Sequence, residues 1–140
     1  MTPFDRRLFL SAALATGTLA GGPTLAAQSH PDRKMQGAAP VIHHVFFWLR
    51  NAGSQADRDL LISGLRTLKS IDLVRQLHIG VPASTEKRDV VDNSYDVSEL
   101  MIFDSVEDQG RYQTHPVHLA FVKKYEHLWE KVIVYDTLEV

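Results

Sequence analysis

Nine consecutive residues, Val41-Ile42-His43-His44-Val45-Phe46-Phe47-Trp48-Leu49, constrain this chain more than any other stretch. The run is β-branched and aromatic, and apart from its two histidines it is apolar at odd and even positions alike. Successive side chains of a strand point to opposite faces, so the run predicts a central strand that something must cover on both sides.

The rest of the chain supplies cover for one side. Ser54-Gln55-Ala56-Asp57 reads as an N-cap with a carboxylate three residues on, and Leu61, Leu65 and Leu68 follow at helical spacing, with Leu60 and Ile71 widening the stripe. Leu73 to Val81 has apolar residues at 73, 77, 79 and 81, the pattern of a half-covered strand. Pro82 to Asn93 lacks periodicity and reads as a loop. Tyr95 to Phe103 makes a third strand, with Val97, Met101 and Phe103 on one face and Leu100 and Ile102 on the other. Ser105-Val106-Glu107-Asp108 caps a second helix, which Pro116 must break or restart, because proline lacks the backbone donor and biases His115 away from helical angles. Phe121, Val122, Tyr125, Leu128 and Trp129 then recur at helical spacing, and Lys131 to Leu138 closes the chain as a fourth strand.

The order β-α-β-β-α-β predicts an α+β, ferredoxin-like protomer: a four-stranded antiparallel sheet with both helices on one face. That leaves the other face of the first strand bare. A second copy laid sheet to sheet would cover it, at roughly 25 cal/mol per Å² of apolar area before the costs of association. The expectation is a homodimeric α/β barrel around a small interior.

Residues 1–27 read as an address. Asp5-Arg6-Arg7-Leu8-Phe9-Leu10 is followed by a small-residue apolar run from Ser11 to Ala20 and then Gly21-Gly22-Pro23, the order of a twin-arginine-type signal peptide with cleavage near Ala26 or Ala27. Residues 28–40 form a polar, small-residue tether, and the domain occupies 41–140. The predicted location is periplasmic or secreted, with no stable membrane span once the leader is removed. Across 41–140 eleven Lys and Arg stand against fifteen Asp and Glu, with no basic stripe, which argues against a nucleic-acid partner. The chain has no cysteine, which excludes disulfides, thiol nucleophiles and thiolate metal sites.

Possible chemistry concentrates in Tyr112-Gln113-Thr114-His115-Pro116-Val117-His118. An uninterrupted helix would put Tyr112 and His118 on different faces, whereas a break at Pro116 lets them converge. His115, before the proline, reads as a structural residue that fixes the turn. His115 and His118 have no carboxylate at ligand spacing between them, so no metal site is expected. His43 and His44 point to opposite faces, so at most one can line a given pocket.

His44-Val45-Phe46-Phe47, Tyr95-Asp96, Val132 to Tyr135-Asp136 and above all Tyr112-x-x-His115-Pro116-x-His118-x-x-Phe121 together resemble the stress-responsive dimeric α/β-barrel (Dabb) family over essentially all of 41–140. The resemblance implies a ferredoxin-like protomer and a barrel-forming dimer. Most members are known as stress-associated proteins, and plant relatives include polyketide cyclases, whose catalytic Tyr and His fall at Tyr112 and His118 and whose first-strand pocket His falls at His44. A further pocket His after the Tyr that opens the third strand is missing, because Asp96 and Val97 stand there. In such chemistry a His titrating near 6.5 removes a proton between carbonyls and a Tyr hydroxyl stabilises the enolate oxygen.

The resulting expectation is an exported homodimer that binds a small, largely apolar or polyketide-like ligand near Tyr112, His118, His44, Phe46 and Trp48, with weak cyclase- or lyase-type acid–base chemistry and no cofactor. The alternatives are a non-catalytic stress-associated binding protein, in which the same residues seal the barrel, and a cofactor-poor monooxygenase.

Overall fold

The computed structural model describes residues 39–140; the leader and nearly all of the tether lie outside the described residues. Seven main elements follow one another: β1 (Val41–Leu49), α1 (Gln55–Thr67), β2 (Gln76–Gly80), β3 (Val97–Phe103), α2 (Val106–Gln113), α3 (Pro116–Tyr125) and β4 (Trp129–Leu138). The strands form one sheet in the order β2-β3-β1-β4, and every neighbouring pair is antiparallel. This is the ferredoxin-like α+β arrangement expected, with β1 in the centre.

Both predicted caps form. The Ser54 hydroxyl accepts from the Asp57 N–H at 3.2 Å and the Ser105 hydroxyl from the Asp108 N–H at 3.1 Å. Pro116 opens α3 rather than bending one long helix, and His115 before it is extended (φ −67°, ψ 135°). α1 and α3 approach closely at Gly64, where an added Cβ would stand 2.7 Å from the Tyr125 ring.

β3 starts at Val97 rather than Tyr95 and β2 stops at Gly80 rather than Val81, and two further boundaries differ from expectation. β2 begins at Gln76 rather than Leu73, because the Val74 N–H bonds back to the Ile71 carbonyl and holds Leu73 and Val74 in a turn, packed against the core. Trp129 is the first residue of β4, not the end of a helical stripe. A 3-10 turn, Glu126–Leu128, ends the helix before it, yet the ring still stacks on Phe121, centroids 6.0 Å apart.

β1 sorts its residues by parity. Val41, His43, Val45, Phe47 and Leu49 are buried beneath the helices, together with Val97, Glu99, Met101 and Phe103 of β3. Ile42, His44, Phe46 and Trp48 lie on the other face, and the ladder aligns them with Ile102, Leu100 and Ser98 of β3 and with Thr137, Tyr135, Ile133 and Lys131 of β4. These outer residues of β1 are only half-buried, and Tyr135 is exposed.

Candidate functional site

A cavity of about 280 Å³ lies on the helix face of the sheet. Its wall combines Val45 and Phe47 of β1, Phe121 and Val122 of α3, and Trp129, Val132 and Val134 of β4, so it is largely apolar. Five groups with acid–base capacity interrupt that lining: His43, Glu99, Tyr112, His118 and Glu126.

The break at Pro116 brings Tyr112 and His118 together. Tyr112 lies in the last turn of α2, His118 sits in the first turn of α3, and their ring centroids are 4.4 Å apart. His118 Nδ1 lies 3.1 Å from the Gln113 carbonyl oxygen. A carbonyl can only accept, so Nδ1 carries the hydrogen and Nε2 keeps its lone pair in the neutral ring. Burial lowers the His118 pKa, the Gln113 hydrogen bond opposes that, and His43 and His115 lower it further. Near neutrality the imidazole is therefore uncharged and basic at Nε2. Tyr112 is fully buried, against Phe103 at 5.0 Å and edge-on to His43 at 6.0 Å. Burial first, and Glu99 second, push its phenol well above the ordinary tyrosine range, so it stays a donor.

A second imidazole borders the same cavity. His43 and Asp136 are paired in the β1–β4 register, and His43 Nδ1 lies 2.6 Å from Asp136 Oδ1. The carboxylate holds the Nδ1 hydrogen, which again leaves Nε2 as the acceptor.

The pocket residues expected from the first strand are corrected by this geometry. His44, Phe46 and Trp48 do not border the cavity with Tyr112 and His118; they stand on the opposite face of β1, because one residue along a strand reverses the side chain. His44 packs on Phe46 at 4.2 Å, and burial followed by the influence of His43 lowers its pKa. Phe46 and Trp48 instead border a shallow hollow of about 140 Å³ with Tyr95, Ile133 and Tyr135. His115 also lies off the cavity. Its Nδ1 accepts from the Val117 N–H at 3.2 Å and caps α3, and Pro116 takes the first helical position.

Sequence reasoning assigned none of His43, Asp136 and Glu99 to the site. The available signal was Glu99 itself, a carboxyl at the parity of Val97, Met101 and Phe103. Glu99 is 2% exposed, and burial pushes its carboxyl up to about 8. Among the described residues no cluster of three or more His, Asp or Glu is arranged to hold a metal ion.

A family model described as the Stress responsive A/B Barrel Domain matches residues 41–138. No curated protein sequence matches the chain. Among solved structures the chain is similar to a Dabb family protein with a ferredoxin-like fold from Mesorhizobium loti (23% identity, 73% of this chain and 98% of that one, TM-score 0.59). It is also similar to the hydroxynitrile lyase of Passiflora edulis (23% identity, 73% and 94%, TM-score 0.62). A third similar structure is a dimeric ferredoxin-like protein of unknown function from Thermobifida fusca (17% identity, 74% and 93%, TM-score 0.59).

Proposed function

This chain belongs to the stress responsive A/B barrel (Dabb) family, and from that premise we propose that its cavity binds a small, largely apolar carbonyl compound and performs cyclase- or lyase-type acid–base chemistry on it. One observation carries the reading: Tyr112 and His118, in ring contact at 4.4 Å, border a single cavity that also holds His43. At about 280 Å³ the cavity is at the small end for ligand sites, room for one ring or a short chain.

The roles follow from which atoms carry hydrogen. His118 Nε2 takes a proton from a carbon beside a carbonyl, and the Tyr112 O–H donates to the oxygen on which the enolate charge develops. In the cyclising direction the enolate carbon attacks a second carbonyl carbon, and the new alkoxide recovers its proton from His118. In the lyase direction the base removes a hydroxyl proton, the carbonyl forms as the carbon–carbon bond breaks, and the departing carbanion, cyanide or an enolate, takes the proton from His118. That the Passiflora edulis protein of like fold is a hydroxynitrile lyase agrees with the second direction. His43, held by Asp136, is a second base on the same wall.

The assembly proposed is a homodimer joined through the outer face of β1. Ile42, Phe46, Trp48, Leu100, Ile102 and Ile133 make that face apolar, and the Thermobifida fusca protein of like fold is dimeric. Export to the periplasm or beyond rests on the leader at residues 1–27; among the described residues no helix is long and apolar enough to cross a membrane.

Hydrogen–deuterium exchange of benzoylacetone, followed by NMR, tests the chemistry. The native protein should exchange the protons between the carbonyls above the buffer rate. His118→Ala should lower the catalysed rate about 10²-fold, within the range of a single acid–base group, and Tyr112→Phe about tenfold. Exchange at the buffer rate would leave a non-catalytic binding protein, and loss of the folded dimer in either variant would make that residue structural.

A further inference from the structure

Among the described residues, only two buried side-chain polar atoms lack a hydrogen-bond partner, Arg58 Nε and Glu99 Oε1. Glu99 is the one that borders the cavity. Its ladder neighbours are Val45 on β1 and Ile79 on β2, and neither can pair with a carboxyl. Leaving such a group unpaired opposes folding, and an apolar residue between Val97 and Met101 would pack without that cost. The carboxyl as a whole borders the cavity, so a partner for it can come only from that side.

The surroundings fix its form. The titratable groups that border the same cavity are His43 on β1, held by Asp136 on β4, Tyr112 on α2, His118 on α3, and Glu126 beyond α3. None is a permanent cation, no hydrogen bond reaches Glu99 Oε1, and burial raises the Glu99 pKa to about 8. A carboxylic acid that keeps its proton is a hydrogen-bond donor.

We infer that Glu99 and Tyr112 are paired donors to one ligand oxygen, so that the site selects enolisable carbonyl compounds and holds the oxyanion form of the ligand. The polar groups of the cavity then divide by task. Glu99 and Tyr112 donate to the oxygen, while His118 Nε2 and His43 Nε2 accept a proton from carbon. A preorganised two-donor arrangement in a largely apolar cavity stabilises developing charge without having to reorganise as the charge forms. This inference rests on the cavity being the ligand site proposed above.

The probe is 2,4-dinitrophenolate, an aromatic oxyanion that stays ionised over the range in which the protein's groups titrate. Equilibrium dialysis read by visible absorbance gives Kd at each pH. Wild-type protein should lose at least about tenfold in affinity as pH rises through about 8, where Glu99 ionises and repels the anion. Glu99→Gln, which donates but cannot ionise, should keep near-neutral affinity and lose the alkaline decline. Glu99→Leu should bind about tenfold more weakly near neutrality, the loss expected for one hydrogen bond to a charged group. Any change at acid pH caused by the histidines should persist in both variants. The infrared band of a protonated carboxyl should be present in the ligand-free wild type near neutrality and reduced in both variants, a readout independent of ligand.

The inference is overturned if wild type shows no alkaline decline, if Glu99→Gln retains it, or if the carboxyl band is unchanged in both variants. Should Tyr112→Phe still weaken binding in those cases, the cavity stands as the ligand site and only the role of Glu99 fails. Failure of wild type to bind the probe at any pH overturns both.

Discussion

Raising the pH above neutrality should weaken the fold through one side chain. In the unfolded chain Glu99 titrates near 4.5, and in the cavity wall near about 8. Between those values the native state holds a proton that the unfolded state has released, so stability falls as pH rises. The contribution of the protonated acid is fully present below about pH 4.5 and is lost as pH rises through about 8. At 1.36 kcal/mol per unit, the whole displacement corresponds to about 5 kcal/mol. His118 acts in the opposite direction and in a different window. Its folded pKa is depressed, so its contribution is present above about 6.5 and lost as pH falls. Among the groups with a shifted pKa, Glu99 therefore dominates the interval from about pH 6.5 to about 8, with an expected fall of about 2 kcal/mol. Urea unfolding at fixed protein concentration, followed by tryptophan fluorescence, measures it; Trp129 packs against Phe47 and Phe121 and reports on the core. Glu99→Gln should be flat over the same interval. If wild type and Glu99→Gln run parallel there within about 0.5 kcal/mol, the carboxyl is not held protonated and the reasoning fails.

Two further outcomes separate structure from chemistry. His115→Ala should remove the cap on α3 and cost about 1 kcal/mol in urea unfolding while leaving probe affinity unchanged, and His115→Asn should restore most of the stability. Phe46→Asp should place a charge in the middle of the outer apolar face and convert the homodimer to a folded monomer in sedimentation velocity; a dimer that persists would move the interface elsewhere.

The fold was legible because its determinants are local. Ser54 and Ser105 announce helices, Pro116 announces the break, and the alternation of Val97, Met101 and Phe103 assigns β3 to a face. The site was legible only in part. Tyr112 and His118 share one short segment, so a single proline was enough to infer that they meet. His43 was missed because β1 is apolar on both faces, and nothing within nine such residues says which parity lies under the helices. That information sits ninety-three residues away, where Asp136 meets His43 in the β1–β4 register. Trp129 was placed on a helix because Phe121, Val122 and Tyr125 lie at a spacing it happens to continue. The 3-10 turn that hands it to β4 leaves no mark in that periodicity.

The histidine doublet in β1 ties these readings together. Strand alternation gives adjacent residues separate environments, so His43 enters the cavity wall with Asp136 as its partner while His44 packs on Phe46 outside. The same alternation places Val45 and Phe47 in the cavity lining and Phe46 and Trp48 on the bare face. The cavity and the proposed interface thus share a backbone but no side chain of β1. Substitutions on one face can then retune ligand chemistry while the other continues to hold the assembly, whereas a slip of one residue in β1 would exchange the two sets and destroy both. That requirement, rather than the identity of any single aromatic residue, is what makes the nine-residue strand so restrictive.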